Sequence, residues 1–75
     1  MSVFDLNVGD RAKVVRLNFD GAAANRLFSL GFSSGKEIKI LGFSLFKSSV
    51  LLGIGANRVA LRREEAEKLE VEICR

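Results

Sequence analysis

The sequence predicts a mainly β domain: a small, strongly bent barrel of five short strands, with a short helix after the first strand and a helical turn before the last. Three observations lead there. Apolar residues recur at alternate positions in several stretches too short for ordinary helices and bounded by Gly, Asn or Ser. The chain has 75 residues, and a domain of this size hides only about 60% of the surface its unfolded form exposes, so most of its apolar residues are needed inside. With one cysteine there is no intrachain disulfide, and a sheet closed on itself is the economical way to shield its edges.

The elements follow in order. Asp5 to Asp10 reads as a lead-in and turn. Arg11 to Leu17 is the first strand, with Ala12 and Val14 on one face and Lys13 and Val15 on the other. Asp20 is placed to accept from free backbone amides as an N-cap, and Ala22, Ala23, Ala24, Arg26, Leu27 and Leu30 make a short helix. Leu27 and Leu30 share a face. Gly31 supplies the left-handed residue that stops a helix, and Phe32 falls where a Schellman cap packs an apolar side chain back on Leu27.

Ser33-Ser34-Gly35 is a turn, and Glu37 to Phe43 the second strand, with Ile38 and Ile40 on one face, Lys39 and Leu41 on the other, and a bulge or bend at Gly42. Ser44 to Ser49 connects to a third strand carrying Val50, Leu52 and Ile54 on one face. Ala56-Asn57, after Gly55, offers a tight reversal into Arg58 to Arg62, giving a hairpin. Arg63 to Leu69 supplies a helical turn, and Glu70 to Ile73 closes with Val71 and Ile73 inward.

The composition excludes most catalytic chemistry. There is no His, Tyr or Trp, and the single thiol, Cys74, lies next to the last residue, so general-base, nucleophile-activating and metal-ligating arrangements lack their usual groups. Glu64, Glu65, Glu67, Glu70 and Glu72 lack the Asp/Asn/Gly pattern of a calcium loop and are expected to be solvated. Gly53-Ile54-Gly55-Ala56-Asn57-Arg58 has Arg where a dinucleotide fingerprint needs a small residue, and Gly31 to Glu37 is one residue short of a phosphate loop. No catalytic residue, cofactor or metal ligand is assigned, and the chain is not expected to be an enzyme.

The formal charge is +3, with Arg58, Arg62 and Arg63 preceding the acidic stretch that begins at Glu64. No secretory signal pattern is present, and no run approaches the ~20 apolar residues of a membrane span. A cytoplasmic location is expected. Phe43, Leu45, Phe46 and Lys47 cluster at a connection that a small barrel projects outward. Three readings stand there: a contact surface, the plug of a barrel end, or a platform for nucleic-acid bases. The modest charge and acidic stretch weigh against the last, a small-barrel nucleic-acid binder.

Leu6-Asn7-Val8-Gly9-Asp10, then Arg26-Leu27 through Leu30-Gly31-Phe32 and Gly35, then Val59-Ala60-Leu61-Arg62 with Glu65-Ala66 and Val71, resembles the FeoA family of ferrous iron transport accessory proteins. The resemblance covers nearly the whole chain, as one FeoA-like domain over residues 1–75, and implies an SH3-like barrel. It further implies a cytosolic accessory protein that binds and modulates the FeoB-type membrane transporter, which has an intracellular GTPase domain, by protein–protein interaction. The docking region so implied is Leu27, Leu30, Gly31 and Phe32, joined by the loop of Phe43, Leu45, Phe46 and Lys47. Iron belongs to the pathway, and no tight Fe(II) site is expected in the monomer. No nucleic-acid partner is expected, membrane association comes only through the transporter, and an apolar loop with a free edge strand leaves a homo-oligomer open.

Overall fold

Every strand buries alternate side chains on one side of a single sheet. In the computed structural model, which describes residues 2–19 and 21–74, β1 (Arg11–Leu17) is followed by α1 (Gly21–Ser29), β2 (Glu37–Phe43), β3 (Ser49–Ile54), β4 (Asn57–Arg62), α2 (Arg63–Ala66) and β5 (Leu69–Ile73). Neighbouring strands are antiparallel in the order β4-β3-β2-β1-β5. The inner face carries Ala12 and Val14, Ile38 and Ile40, Val50, Leu52 and Ile54, Leu61, and Leu69 and Val71, all buried. Each large member contributes about 1.5–3 kcal/mol by leaving water. No polar side chain among the described residues is buried with them.

Two bulges bend the sheet around this core. The register of β2 against β3 shifts between Ile40 and Gly42, beside the residue expected to mark a bulge, so Leu41 is the extra residue. A second shift lies in β1 between Val14 and Arg16, against β5. Its Val15 carried no glycine to announce it. Bulges increase the local twist, and here they coil the sheet into a barrel. Among the described residues hydrogen bonding does not complete the closure: β4 and β5 remain the two edges, and α2 carries the chain from one to the other.

The helix corner forms as the residues dictate. The Gly31 amide donates to the Phe28 carbonyl at 3.0 Å and the Phe32 amide to the Leu27 carbonyl at 3.0 Å, the paired bonds of a Schellman cap. Gly31 sits at φ +101°, where a side chain is strained. The expected cap at Asp20 lies outside the described residues.

Three boundaries differ from the sequence reading. The hairpin turn is Gly55-Ala56, one residue earlier, since Asn57 pairs with Ile54 and Gly55 at φ +58° takes the position where a two-residue turn needs a glycine. The helical turn stops at Ala66, because Leu69 has inner-face spacing with Val71 and starts β5. The lead-in is also more built than expected. A 3-10 turn over Val3–Asp5, capped by the Ser2 hydroxyl on the Phe4 amide at 3.2 Å, delivers Val3 and, just after it, Leu6 to the core.

Candidate partner-docking site

The residues singled out in the sequence divide into two groups. Leu27 is 1% exposed and Phe32 fully buried, so neither offers a surface to a partner. Their expected docking role is corrected to a structural one: the cap folds Phe32 under the helix, and both side chains fasten α1 to the barrel. Leu30 is half-buried against the same core, and Gly31 holds the turn.

The second group makes a shaped protrusion. Phe43, at the end of β2, is half-buried, its ring centroid 5.9 Å from that of Phe4 at an interplanar angle of 35°. Lys47 Nζ stands 4.9 Å from the Phe43 centroid, and the Arg63 guanidinium 5.0 Å from that of Phe4, distances at which a cation is attracted to the ring face. Phe43 therefore closes the barrel end. Beyond it Leu45 is 80% exposed and Phe46 87% exposed.

The loop holding them is stiffened by its serines. The Ser44 amide donates to the Ser49 carbonyl at 3.0 Å, the Ser49 amide donates to Ser44 Oγ at 2.8 Å, and the Ser44 and Ser48 hydroxyls share a hydrogen bond of 2.8 Å. The Arg63 amide, at the start of α2, donates to the Ser48 carbonyl at 2.9 Å. Within this frame Phe46 (φ 60°, ψ 18°) and Lys47 (φ 53°) are both left-handed. Left-handed backbone costs a residue with a side chain about 1–2 kcal/mol, and such strain concentrates at binding sites. Neither aromatic burial nor a glycine compensates here. The backbone is held in a costly shape that presents Leu45 and Phe46 to the outside.

The phosphate-loop patterns dissolve in the fold. Gly53 lies inside β3 and Gly55 in the hairpin, while Gly31 ends a helix and Gly35 precedes a strand, so none opens a helix toward a phosphate. Among the described residues no three His, Cys, Asp or Glu side chains gather as a metal site. Cys74 is half-buried, its amide donating to the Arg11 carbonyl at 2.8 Å.

Sequence reasoning missed two features. The Arg26 guanidinium on α1 donates to Glu65 on α2, although both residues stood among those that carry the resemblance. Phe28 is 57% exposed on α1, the helix position that its neighbour Leu27 leaves facing out.

A family model described as the FeoA domain matches residues 1–73. The chain belongs to the FeoA family. That family serves ferrous iron transport. Over 73 residues this FeoA chain is 36% identical to the Fe(2+) transport protein A/Fe(2+) transporter FeoB fusion protein of Porphyromonas gingivalis, a match covering 97% of this chain and 9% of that protein. The solution structure of iron(II) transport protein A from Clostridium thermocellum superposes with a TM-score of 0.91 at 32% identity, over 97% of this chain and 45% of that one. The zinc-complexed FeoA of Stenotrophomonas maltophilia, described as a prokaryotic SH3 domain protein, gives 0.81 at 29% identity over 96% and 89%. The FeoA barrel is thus SH3-like, as the resemblance implied. No helix among its described residues is long and apolar enough to cross a membrane.

Proposed function

We propose that this chain is an accessory module of ferrous iron uptake, acting on the cytosolic side, which binds and modulates a FeoB-type transporter by protein contact and carries out no chemistry of its own. The observation that carries the partner assignment is the Porphyromonas gingivalis relative, in which the two names belong to one polypeptide; a fused module works at high effective concentration toward its neighbour. The contact surface is the end of the barrel that presents Leu45 and Phe46. Large apolar side chains held outward in a strained, serine-braced loop are costly to a free monomer and productive in an interface, where a few buried aromatic anchors supply most of the affinity. Leu27 and Phe32 support that surface only by holding the fold.

A pull-down of the detergent-solubilised transporter, with and without guanine nucleotide, tests the proposal. The unsubstituted chain should retain the transporter, and a folded Leu45→Ser/Phe46→Ser variant should lose it. Equal retention by both would remove the loop as the docking surface, and no retention in any nucleotide state would remove the partner.

A further inference from the structure

A second surface, away from the Leu45–Phe46 loop, has its own chemistry. On the outer face of the sheet the register places Arg11 opposite Lys39, Lys39 opposite Gly53, and Gly53 opposite Arg58. Strands lie about 4.8 Å apart, so three cations stand in one line about 14 Å long, interrupted only by a glycine. Like charges directly opposed across a sheet are destabilising. Of the three, only Arg11 has a carboxylate beside it among the described residues, Glu37 at 3.6 Å. Lys39 and Arg58 have none there.

Between Lys39 and Arg58 the face is apolar. The β2 bulge turns Leu41 across Gly53 so closely that a Cβ on Gly53 would stand 3.4 Å from Leu41 Cδ1. Lys36, Glu37, Lys39, Leu41, Gly53 and Arg58 are among the residues that line an open cleft of about 530 Å³. Three cations, Lys36, Lys39 and Arg58, outweigh the one lining carboxylate, Glu37, which Arg11 pairs at 3.6 Å; the floor is aliphatic, and no phenylalanine is among the described residues that line it. A nucleic-acid strand would need a stacking platform that the cleft lacks. Alternate carboxylates on one side of an extended chain stand about 7 Å apart, and the backbones of Lys39 and Arg58, two strand spacings apart across Gly53, about 10 Å, a difference that two long cationic side chains leaning inward can take up.

We propose that this cleft docks an acidic, extended segment of a partner protein, its carboxylates paired with Lys39 and Arg58 and an apolar side chain resting on Leu41. The proposal is independent of the loop and of the transporter assignment.

The test is anisotropy titration of a fluorescein-labelled synthetic peptide, with glutamates at alternate positions around a central leucine, at low ionic strength, alongside amide chemical-shift mapping. Shifts should centre on Lys39, Gly53 and Arg58. A Lys39→Glu/Arg58→Glu variant should bind about tenfold more weakly or worse, a difference of about 1.4 kcal/mol, and the single Arg58→Gln variant should bind by an intermediate amount. The Phe46→Ser variant should bind as the unsubstituted chain does, and added salt should weaken binding throughout. No binding at low ionic strength, shifts centred elsewhere, undiminished affinity in the Arg58→Gln variant, or an oligothymidylate of equal charge binding the cleft as tightly would each overturn it.

Discussion

The Arg26 guanidinium of α1 donates to the Glu65 carboxylate of α2, across 39 residues of chain. Glu65 is the better-buried partner, its side chain 23% exposed against 59% for Arg26. Its other oxygen accepts the Arg62 amide at 3.2 Å. One carboxylate therefore both caps the short helix that crosses the barrel seam and ties it to the longer one.

Replacing Glu65 with Ala removes the cap and the bridge together and should cost about 1–2 kcal/mol of stability in urea unfolding. Arg26→Ala should cost less, about 0.5 kcal/mol, because its own side chain is largely in water. In a double-mutant cycle the two losses should not add. Strict additivity would mean that the bridge contributes nothing.

Gly31→Ala should lower stability by about 1–2 kcal/mol, all of it backbone strain. Among the described residues a Cβ there meets only Ile54 Cδ1 at 3.8 Å, an ordinary contact, while φ is +101°. Gly42→Ala is the control. Its backbone is not left-handed and nothing among the described residues lies within 4 Å of a new Cβ, so stability in thermal unfolding should move by no more than about 0.5 kcal/mol.

Leu27→Ala should cost about 2–5 kcal/mol, as buried leucines do. A domain with about 0.05–0.15 kcal/mol of stability per residue has little to spare, and the variant should show a broadened or lost cooperative transition by circular dichroism. Any loss of partner binding in it reports unfolding rather than a missing contact.

Phe46→Gly should leave stability unchanged or raise it by up to about 1 kcal/mol, since glycine relieves the left-handed strain and the ring it removes is 87% exposed. Transporter binding should fall at the same time. Stability held while binding is lost is the signature of a side chain kept for contact rather than for folding; a destabilised Phe46→Gly would show that the ring packs in solution.

Most of the architecture was legible because alternation is a local signal: Ala12 and Val14, Ile38 and Ile40, and Val50, Leu52 and Ile54 all face inward as their spacing requires. The Schellman corner was legible for the same reason, being written in six consecutive residues. What escaped depended on partners distant in sequence. Val15 gives no local sign of its bulge, which the pairing with β5 imposes. Leu27 could be placed on a helix face but not assigned to core or contact, since either use puts a leucine there. The row through Lys39, Gly53 and Arg58 exists only once three strands are in register. Exposure of Leu45 and Phe46 could be expected from a connection that a small barrel projects outward; the left-handed backbone that fixes it could not, because no glycine marks it.

Amide hydrogen exchange of this chain, with and without the full-length detergent-solubilised transporter, tests the docking surface most directly. Slowed exchange confined to residues 43–49 and the adjoining start of α2 is the predicted result. Protection centred on α1, or an exchange pattern that the transporter leaves unchanged, would contradict it.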